Sequence, residues 1–281
     1  GGRPKVYDAV DSLTLAYRRS LRSRQVPLRQ RALAMVEWAK MTRYEPSILS
    51  SFDRLLVSSP ADRQVMEQNL PGSSRKSPNG SITVIPNGVD LDYFQYSSAE
   101  REPATITFLG KMSYYVNVSS VRWFYQSVFP QIRRQRPDAR LRIVGRDPSR
   151  EILALAADPA VEVTGSVPDV RPYLARSTVS ICPMVSGAGI QNKMLEAMAI
   201  GTPTVATSLA CQALDIRSGE EVLVADTPQD FSQAVLELLE NPGLRQKLSE
   251  RGRQYVEACH TWVQMGERLN KVFEQLTQEG G

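Results

Sequence analysis

Residues 186–203, SGAGIQNKMLEAMAIGTP, set the reading of the whole chain. Two glycines two apart, Gly187 and Gly189, open the stretch, and a helical run follows over residues 191–200. Met194, Leu195, Met198 and Ala199 recur at helical spacing and form one apolar face. Gly201 is a stop signal with Pro203 close behind, and Thr204, Val205 and Ala206 read as a returning strand. A loop running into a helix N-terminus leaves backbone N–H groups free to hold a phosphate. Glu196, one to two turns into the helix, is placed to accept hydrogen bonds from sugar hydroxyls. The plainer alternative is a glycine-rich turn before an ordinary buried helix.

Working outward, strand patterns at 105–109, 140–144, 161–164, 178–182, 204–206 and 221–224 alternate with helical patterns at 118–136, 149–157, 169–175 and 191–200. Three helical segments, 228–240, 242–259 and 261–278, close the chain. Alternation of this kind predicts an α/β fold with a doubly wound parallel sheet. Ligands in such sheets sit beyond the C-terminal strand ends. Gly110, Gly145, Gly165, Gly187 and Gly189 all follow strands, so they are expected along that edge, where backbone can approach a phosphate-bearing ligand closely. No GxGxxG or Walker-type run occurs, so neither an NAD site nor a P-loop is predicted.

Toward the N-terminus the pattern gives a strand at 6–10, a helix cap at Asp11-Ser12, and helices at 13–21 and 27–44. A strand at 52–57, a helix to about residue 69, a loop at 70–80 and a strand at 81–85 follow. Residues 91–103 read as a linker, with a domain boundary near residue 100. The expected domains are 1–100, 101–260 and a C-terminal helix, 261–281, packing back on the first domain.

Apolar residues make up 42% and charged residues 23%, as in soluble globular proteins. No run of about 18 apolar residues spans a membrane, and no signal-peptide pattern opens the chain. The three cysteines, Cys182, Cys211 and Cys259, are scattered, and His260 is the only histidine. That argues against a disulfide framework or a zinc site, and makes a reducing cytoplasm the expected compartment. A Ser-His-Asp triad would have to use His260, which reads as lying among helical residues. The net charge of +4 is uneven, because residues 1–45 hold ten Lys or Arg against four acids. Such a basic helical stretch either rests on anionic lipid or is a solvated face. It lacks the aromatic interleaving expected for nucleic acid, so no nucleic-acid partner is predicted. With no initiator Met and Gly-Gly at both ends, the sequence reads as part of a longer one.

Several pieces now resemble one family. Residues 84–90, VIPNGVD, with Phe94 beyond, resemble a signature of retaining glycosyltransferases of family 4. Phe108-Leu109-Gly110 is similar to the opening of that family's nucleotide-sugar domain, and Cys182-Pro183 followed by GIQNKMLEAMAIGTPTVAT to its donor-binding motif. Tyr114, Asn117 and residues 121–124, VRWF, resemble a subgroup from exopolysaccharide gene clusters. The resemblance runs from residue 6 to about 277. It implies a GT-B-like fold: a Rossmann-like C-terminal domain binding a UDP- or GDP-sugar, plus an N-terminal α/β domain, here incomplete, that meets a glycan or lipid-linked acceptor. It implies hexosyl-type transfer without a metal or other cofactor, at a cytoplasmic or peripheral inner-membrane location, in polysaccharide biosynthesis. The alternative is a non-catalytic nucleotide-sugar-binding remnant or subunit completed by another chain.

By this resemblance Glu196 binds the ribose, Gly189, Ile190 and Gln191 offer backbone N–H groups to the diphosphate, and Gly187, Ala188 and Lys193 belong to the donor-binding site. Gly110 allows phosphate approach, Lys111 assists the leaving diphosphate, and Arg146 with the loop at 163–167, Gly165 and Val167 included, lies where the base is held. Lys111 and Glu196 are the expected catalytic residues. The sequence departs from the pattern at two positions. The first Glu of the family's E-x7-E motif falls at Ala188, which cannot accept hydrogen bonds from a sugar. The family's second phosphate-binding Lys falls near Asn117, which carries no charge. The first domain is also short, about 95 residues before the linker against roughly 150 for an ordinary domain, so front strands are expected to be missing from it.

Overall fold

The structure, a computed structural model, describes residues 4–49, 51–69 and 81–279. They divide into two compact units. The smaller contains residues up to Gly88, the loop Ser186–Ile190 and the segment from His260 onward; the larger contains Val89–Val185 and Gln191–Cys259.

The smaller unit is built from β1 (Val6–Val10), α1 (Leu13–Arg22), α2 (Leu28–Leu49), β2 (Arg54–Val57), α3 (Pro60–Asn69) and β3 (Ser81–Val84), with the C-terminal helix α12 (Trp262–Glu279) added. Its three strands pair in parallel in the order β1-β2-β3. Both sheet faces are covered, as parallel strands require. Leu55, Val57 and Ile82 pack with Met66 of α3. Leu56, between two of them in sequence, points the other way and packs with Val272 and Leu276 of α12. Ser12 caps α1, its Oγ accepting from the Leu15 N–H at 3.2 Å, as its position ahead of the helical pattern predicts. The predicted loop at 70–80 lies outside the described residues.

The larger unit runs β4 (Glu102–Leu109), α4 (Tyr115–Trp123), α5 (Phe129–Gln135), β5 (Arg140–Val144), α6 (Arg150–Ala154), β6 (Val161–Gly165), α7 (Arg171–Arg176), β7 (Ser177–Cys182), α8 (Asn192–Ile200), β8 (Thr204–Ala206), α9 (Ser208–Cys211), β9 (Leu223–Val224), α10 (Pro228–Glu240) and α11 (Pro242–Cys259). The six strands are all parallel in the order β6-β5-β4-β7-β8-β9. The chain winds outward from β4 in one direction and from β7 in the other. The order therefore reverses between β4 and β7, and the crevice beyond their C-terminal ends is where such sheets take ligands.

Ile106, Phe108, Leu141, Ile143, Val179 and Ile181 form the buried centre, with Phe124, Phe129 and Phe231 packed against them. The helix expected over 118–136 is one path with a defect in it. A π-helical turn, Phe124–Val128, separates α4 from α5. Pro130 has no N–H to donate to Gln126, and the Phe129 N–H reaches back five residues to the Phe124 carbonyl. The extra residue lets Phe124 and Phe129 both face the core, each 1% exposed or less. The short strand expected at 221–224 is two residues, Leu223–Val224, at the sheet edge.

Candidate functional site

In the larger unit the strand ends build a tight platform. Gly110 follows β4 and donates its N–H to the Val144 carbonyl at 3.0 Å. Gly145 follows β5 with φ +150, and a Cβ there would overlap the Gly110 carbonyl. Gly145 in turn donates to the Gly165 carbonyl at 3.3 Å, at the end of β6. Three of the predicted glycines thus stand side by side on neighbouring strand ends. For Gly145 the requirement is internal, since only the absence of a side chain lets the two loops meet.

The Asn117 side chain lies over Gly110, where a Cβ would come within 2.8 Å of Nδ2. Asn117 is buried on α4, donates Nδ2–H to the Lys111 carbonyl at 3.0 Å, and accepts at Oδ1 from the Lys193 ammonium at 2.7 Å. These two contacts also fix which way the amide faces. Lys193 lies in the first turn of α8, its Nζ 3.7 Å from Met184 Sδ and 4.6 Å from the centre of the Phe108 ring. Burial lowers the Lys193 pKa below the ordinary lysine value, against the opposing pull of Cys182 and Glu196. Burial pushes the Cys182 thiol up to about 11, so that neighbour stays neutral. Position 117 carries no charge, and the ammonium that meets it comes from a residue 76 positions later.

Glu196 sits one turn beyond Lys193 on α8, half-buried. Burial raises its pKa, with Lys193 opposing, and among the described residues its carboxylate has no hydrogen bond. Gln191 is the N-cap of α8 and makes no side-chain cap bond. Lys111 is half-exposed and only 3.9 Å from Asp147, a surface pair of little energetic weight. Arg146 is exposed, and its carbonyl accepts from the Met112 N–H at 2.8 Å. Val167 packs beside the cluster of Leu109, Val144, Leu174, Ala197 and Ile200, so its side chain belongs to the packing of this unit.

The remaining predicted residues, Gly187, Ala188, Gly189 and Ile190, group with the smaller unit. There the Arg19 Nη1 donates to the Gly187 carbonyl at 2.8 Å. Gly189 has φ +68, and a Cβ on it would collide with the Asp11 carboxylate. Asp11 Oδ1 accepts from Ser58 Oγ at 2.7 Å. Burial raises the Asp11 pKa, and burial lowers that of Arg19. Neither residue is a site candidate from sequence. Asp11 reads there as part of a helix cap, and Arg19 as one of many basic residues. His260 is not within a helix. It sits in the break between α11 and α12, buried, with Nδ1 3.0 Å from the Asn87 carbonyl, and burial lowers its pKa.

A cavity of about 470 Å³ in the larger unit lies elsewhere. Glu102, Pro103, Arg140 and Val161 among its lining residues belong to the N-terminal ends of β4, β5 and β6, the edge that such sheets do not use for ligands.

Residues 103–241 match the family profile described as "Glycosyl transferases group 1". The phosphatidyl-myo-inositol mannosyltransferase of Mycobacterium tuberculosis is 28% identical over 210 residues, covering 70% of this chain and 54% of that protein. A GDP-mannose-dependent monoacylated alpha-(1-6)-phosphatidylinositol monomannoside mannosyltransferase of Corynebacterium glutamicum is 29% identical over 216 residues, covering 68% and 55%. The chain thus spans about half the length of the curated relatives it matches. Among solved structures, Anabaena Alr3699/HepE in complex with UDP-glucose superposes with a TM-score of 0.72 at 14% identity, over 97% of this chain and 72% of that one. The profile match thus falls mostly on the larger unit, and the chain shares the α/β fold of GT-B glycosyltransferases.

Proposed function

We propose that this chain belongs to an enzyme that transfers a hexose from a UDP- or GDP-sugar to a glycan or lipid-linked acceptor, with retention at the anomeric carbon. The observation that carries this reading is the Lys193 ammonium on Asn117 above Gly110, at the point where the strand order reverses. A cation held there, next to an α8 N-terminus without a side-chain cap, suits a diphosphate. In the reaction the bond between the anomeric carbon and the diphosphate oxygen breaks and an acceptor oxygen takes that carbon. The acceptor's proton leaves, and the nucleoside diphosphate departs with its new charge. Lys193 and Lys111 neutralise that charge, so no metal or other cofactor is required. Glu196 accepts from the ribose hydroxyls, and Arg146 flanks the base.

The relatives' names support both nucleotides: one is GDP-mannose-dependent, and HepE was solved with UDP-glucose. Calorimetry with UDP, GDP, ADP and their sugars tests the reading. One nucleoside diphosphate is expected to bind with or without EDTA, and Glu196→Ala is expected to weaken it about tenfold, the worth of one charge-assisted hydrogen bond. Absence of any nucleotide binding would sink the reading, and undiminished affinity in the variant would remove Glu196 from the site.

A second feature concerns location. No described helix is long and apolar enough to cross a membrane. The exposed side of α2 carries Leu28, Leu33, Met35 and Val36 beside Arg29, Lys40 and Arg43. That combination suits peripheral contact with an anionic bilayer at the cytoplasmic face, close to a lipid-linked acceptor. Sedimentation with phosphatidylglycerol vesicles, and not with phosphatidylcholine vesicles, is the expected result.

A further inference from the structure

The short helix that carries Lys193 and Glu196 is gripped at its far end. Like any helix, α8 leaves its last carbonyls without partners from its own ladder. The turn at Gly201 takes two of them, with the Thr202 N–H on the Ala197 carbonyl at 2.8 Å and the Gly201 N–H on that of Met198 at 3.0 Å. The next three are taken by groups from elsewhere in the larger unit. Arg253 of α11 donates Nη1–H to the Ala199 carbonyl at 2.8 Å, the Ser97 N–H reaches the Ile200 carbonyl at 3.0 Å, and Arg101 donates Nη2–H to the Gly201 carbonyl at 2.6 Å. Both guanidiniums are anchored a second time. Arg101 Nη1 donates to the Ser177 carbonyl, at the start of β7, at 2.9 Å, and Arg253 Nη1 donates to the Phe94 carbonyl at 2.8 Å. The Tyr96 ring lies over Gly201, where a Cβ would collide with it.

A helix of nine residues is only about 14 Å long and moves as one piece, so whatever fixes its last turn also sets its first. Lys193 stands in that first turn, and its ammonium meets Asn117 over Gly110. A binding group of this kind has to be held to within about 0.5 Å by the residues behind it. Arg245 provides a contrast in the same unit. It grips the end of α10 in the same way, donating to the Leu238 and Leu239 carbonyls at 2.7 and 3.1 Å, but α10 carries no residue assigned to the donor. Resting on the function proposed above, we infer that Arg101 and Arg253 are positioning residues of the donor site, acting through α8 to place Lys193 against the diphosphate.

The test titrates UDP and GDP into the unaltered chain and into Arg101→Met, Arg253→Met and Arg245→Met. Amide hydrogen exchange over residues 194–197 of α8 is read in the same proteins without nucleotide. Arg101→Met and Arg253→Met are each expected to weaken the diphosphate that binds about fivefold and to speed exchange in α8. Arg245→Met is expected to lower stability and leave both readings unchanged. Arg101→Lys keeps a cation for the Gly201 carbonyl but cannot fork to Ser177, so it should return part of the lost affinity. With Arg253→Met it carries the test if Arg101→Met does not fold. If Arg101→Met and Arg253→Met bind as the unaltered chain does, the grip only stabilises, and the inference is overturned with the proposed function intact. If Arg245→Met weakens binding as much as they do, the loss is one of general stability and the inference is equally overturned. If the unaltered chain binds neither nucleotide, the proposed function falls, and exchange alone decides whether the two arginines set the N-terminal half of α8.

Discussion

The two parallel sheets treat polarity at their C-terminal edges in opposite ways. In the larger unit one ammonium, Lys193, stands among Phe108, Met184 and Asn117 over an apolar core that includes Phe124, Phe129 and Phe231. In the smaller unit a buried polar network lies at the same edge. Asp62 accepts from the Ser12 N–H at 2.8 Å and from the Ser59 hydroxyl. Glu45 accepts from the Thr14 N–H at 3.0 Å and from Ser12 Oγ at 3.2 Å. A large apolar core can carry one unpaired charge on rigid elements. A three-stranded sheet with less to bury holds its edge by hydrogen bonds between side chains and backbone, where every missing partner is costly.

Phe124→Ala is expected to have the largest effect, a loss of about 3–5 kcal/mol in chemical denaturation, because a fully buried ring leaves a cavity the sheet cannot close. Asp62→Ala should cost about 2–3 kcal/mol, since it strands the buried Ser12 N–H and Ser59 hydroxyl. A much smaller loss would mean that the network is wet and the contrast between the units overstated.

Lys193→Met should split function from stability. Nucleoside diphosphate affinity is expected to fall about 30-fold or more, by the worth of a desolvated charge pair, while denaturation shows a change of no more than about 1 kcal/mol, because relief of a partly buried charge offsets the hydrogen bond lost to Asn117. The same lysine gives a pH signature. Its folded pKa lies below the ordinary value, so folding favours the neutral form. Its destabilising contribution is present at neutral pH and disappears as pH rises through the lowered pKa, toward the unfolded value of about 10.4. Over that window stability gains while diphosphate affinity drops, and Lys193→Met should remove both trends. The smallest effect is that of Ser12→Ala, about 1 kcal/mol for a lost helix cap.

The six-strand alternation was legible in sequence because each parallel strand is a short apolar run closed by a turn signal, and for β4, β5 and β6 that signal is Gly110, Gly145 or Gly165. The cap at Ser12 and the stop at Gly201, which has left-handed geometry at the end of α8, were legible for the same local reason. The π-turn was not, because Pro130 near the start of α5 is equally compatible with an ordinary helix start. Nor were the pairings that matter most. Lys193 meets Asn117 across 76 residues, and Asp11 meets Gly189 across 178. Periodicity and spacing report which face a residue occupies, not which distant side chain will be opposite. Asn117 therefore read as an uncharged position, with nothing in its own neighbourhood of the sequence to show that the Lys193 ammonium lies against it.

His260 has a use beyond its place in the fold. It is the only histidine in the sequence, it is buried, and it stands against the Asn87 carbonyl at the junction of α11 and α12. In a proton NMR spectrum the chain therefore supplies a single imidazole spin system, assigned without mutagenesis. Because burial lowers its pKa, that resonance should hold still through neutral pH while the smaller unit is folded. It should begin to titrate near the ordinary histidine value of about 6.5 once the segment around Asn87 opens. One unlabelled signal thus serves as an internal gauge of the smaller unit, read in the same tube as any nucleotide titration.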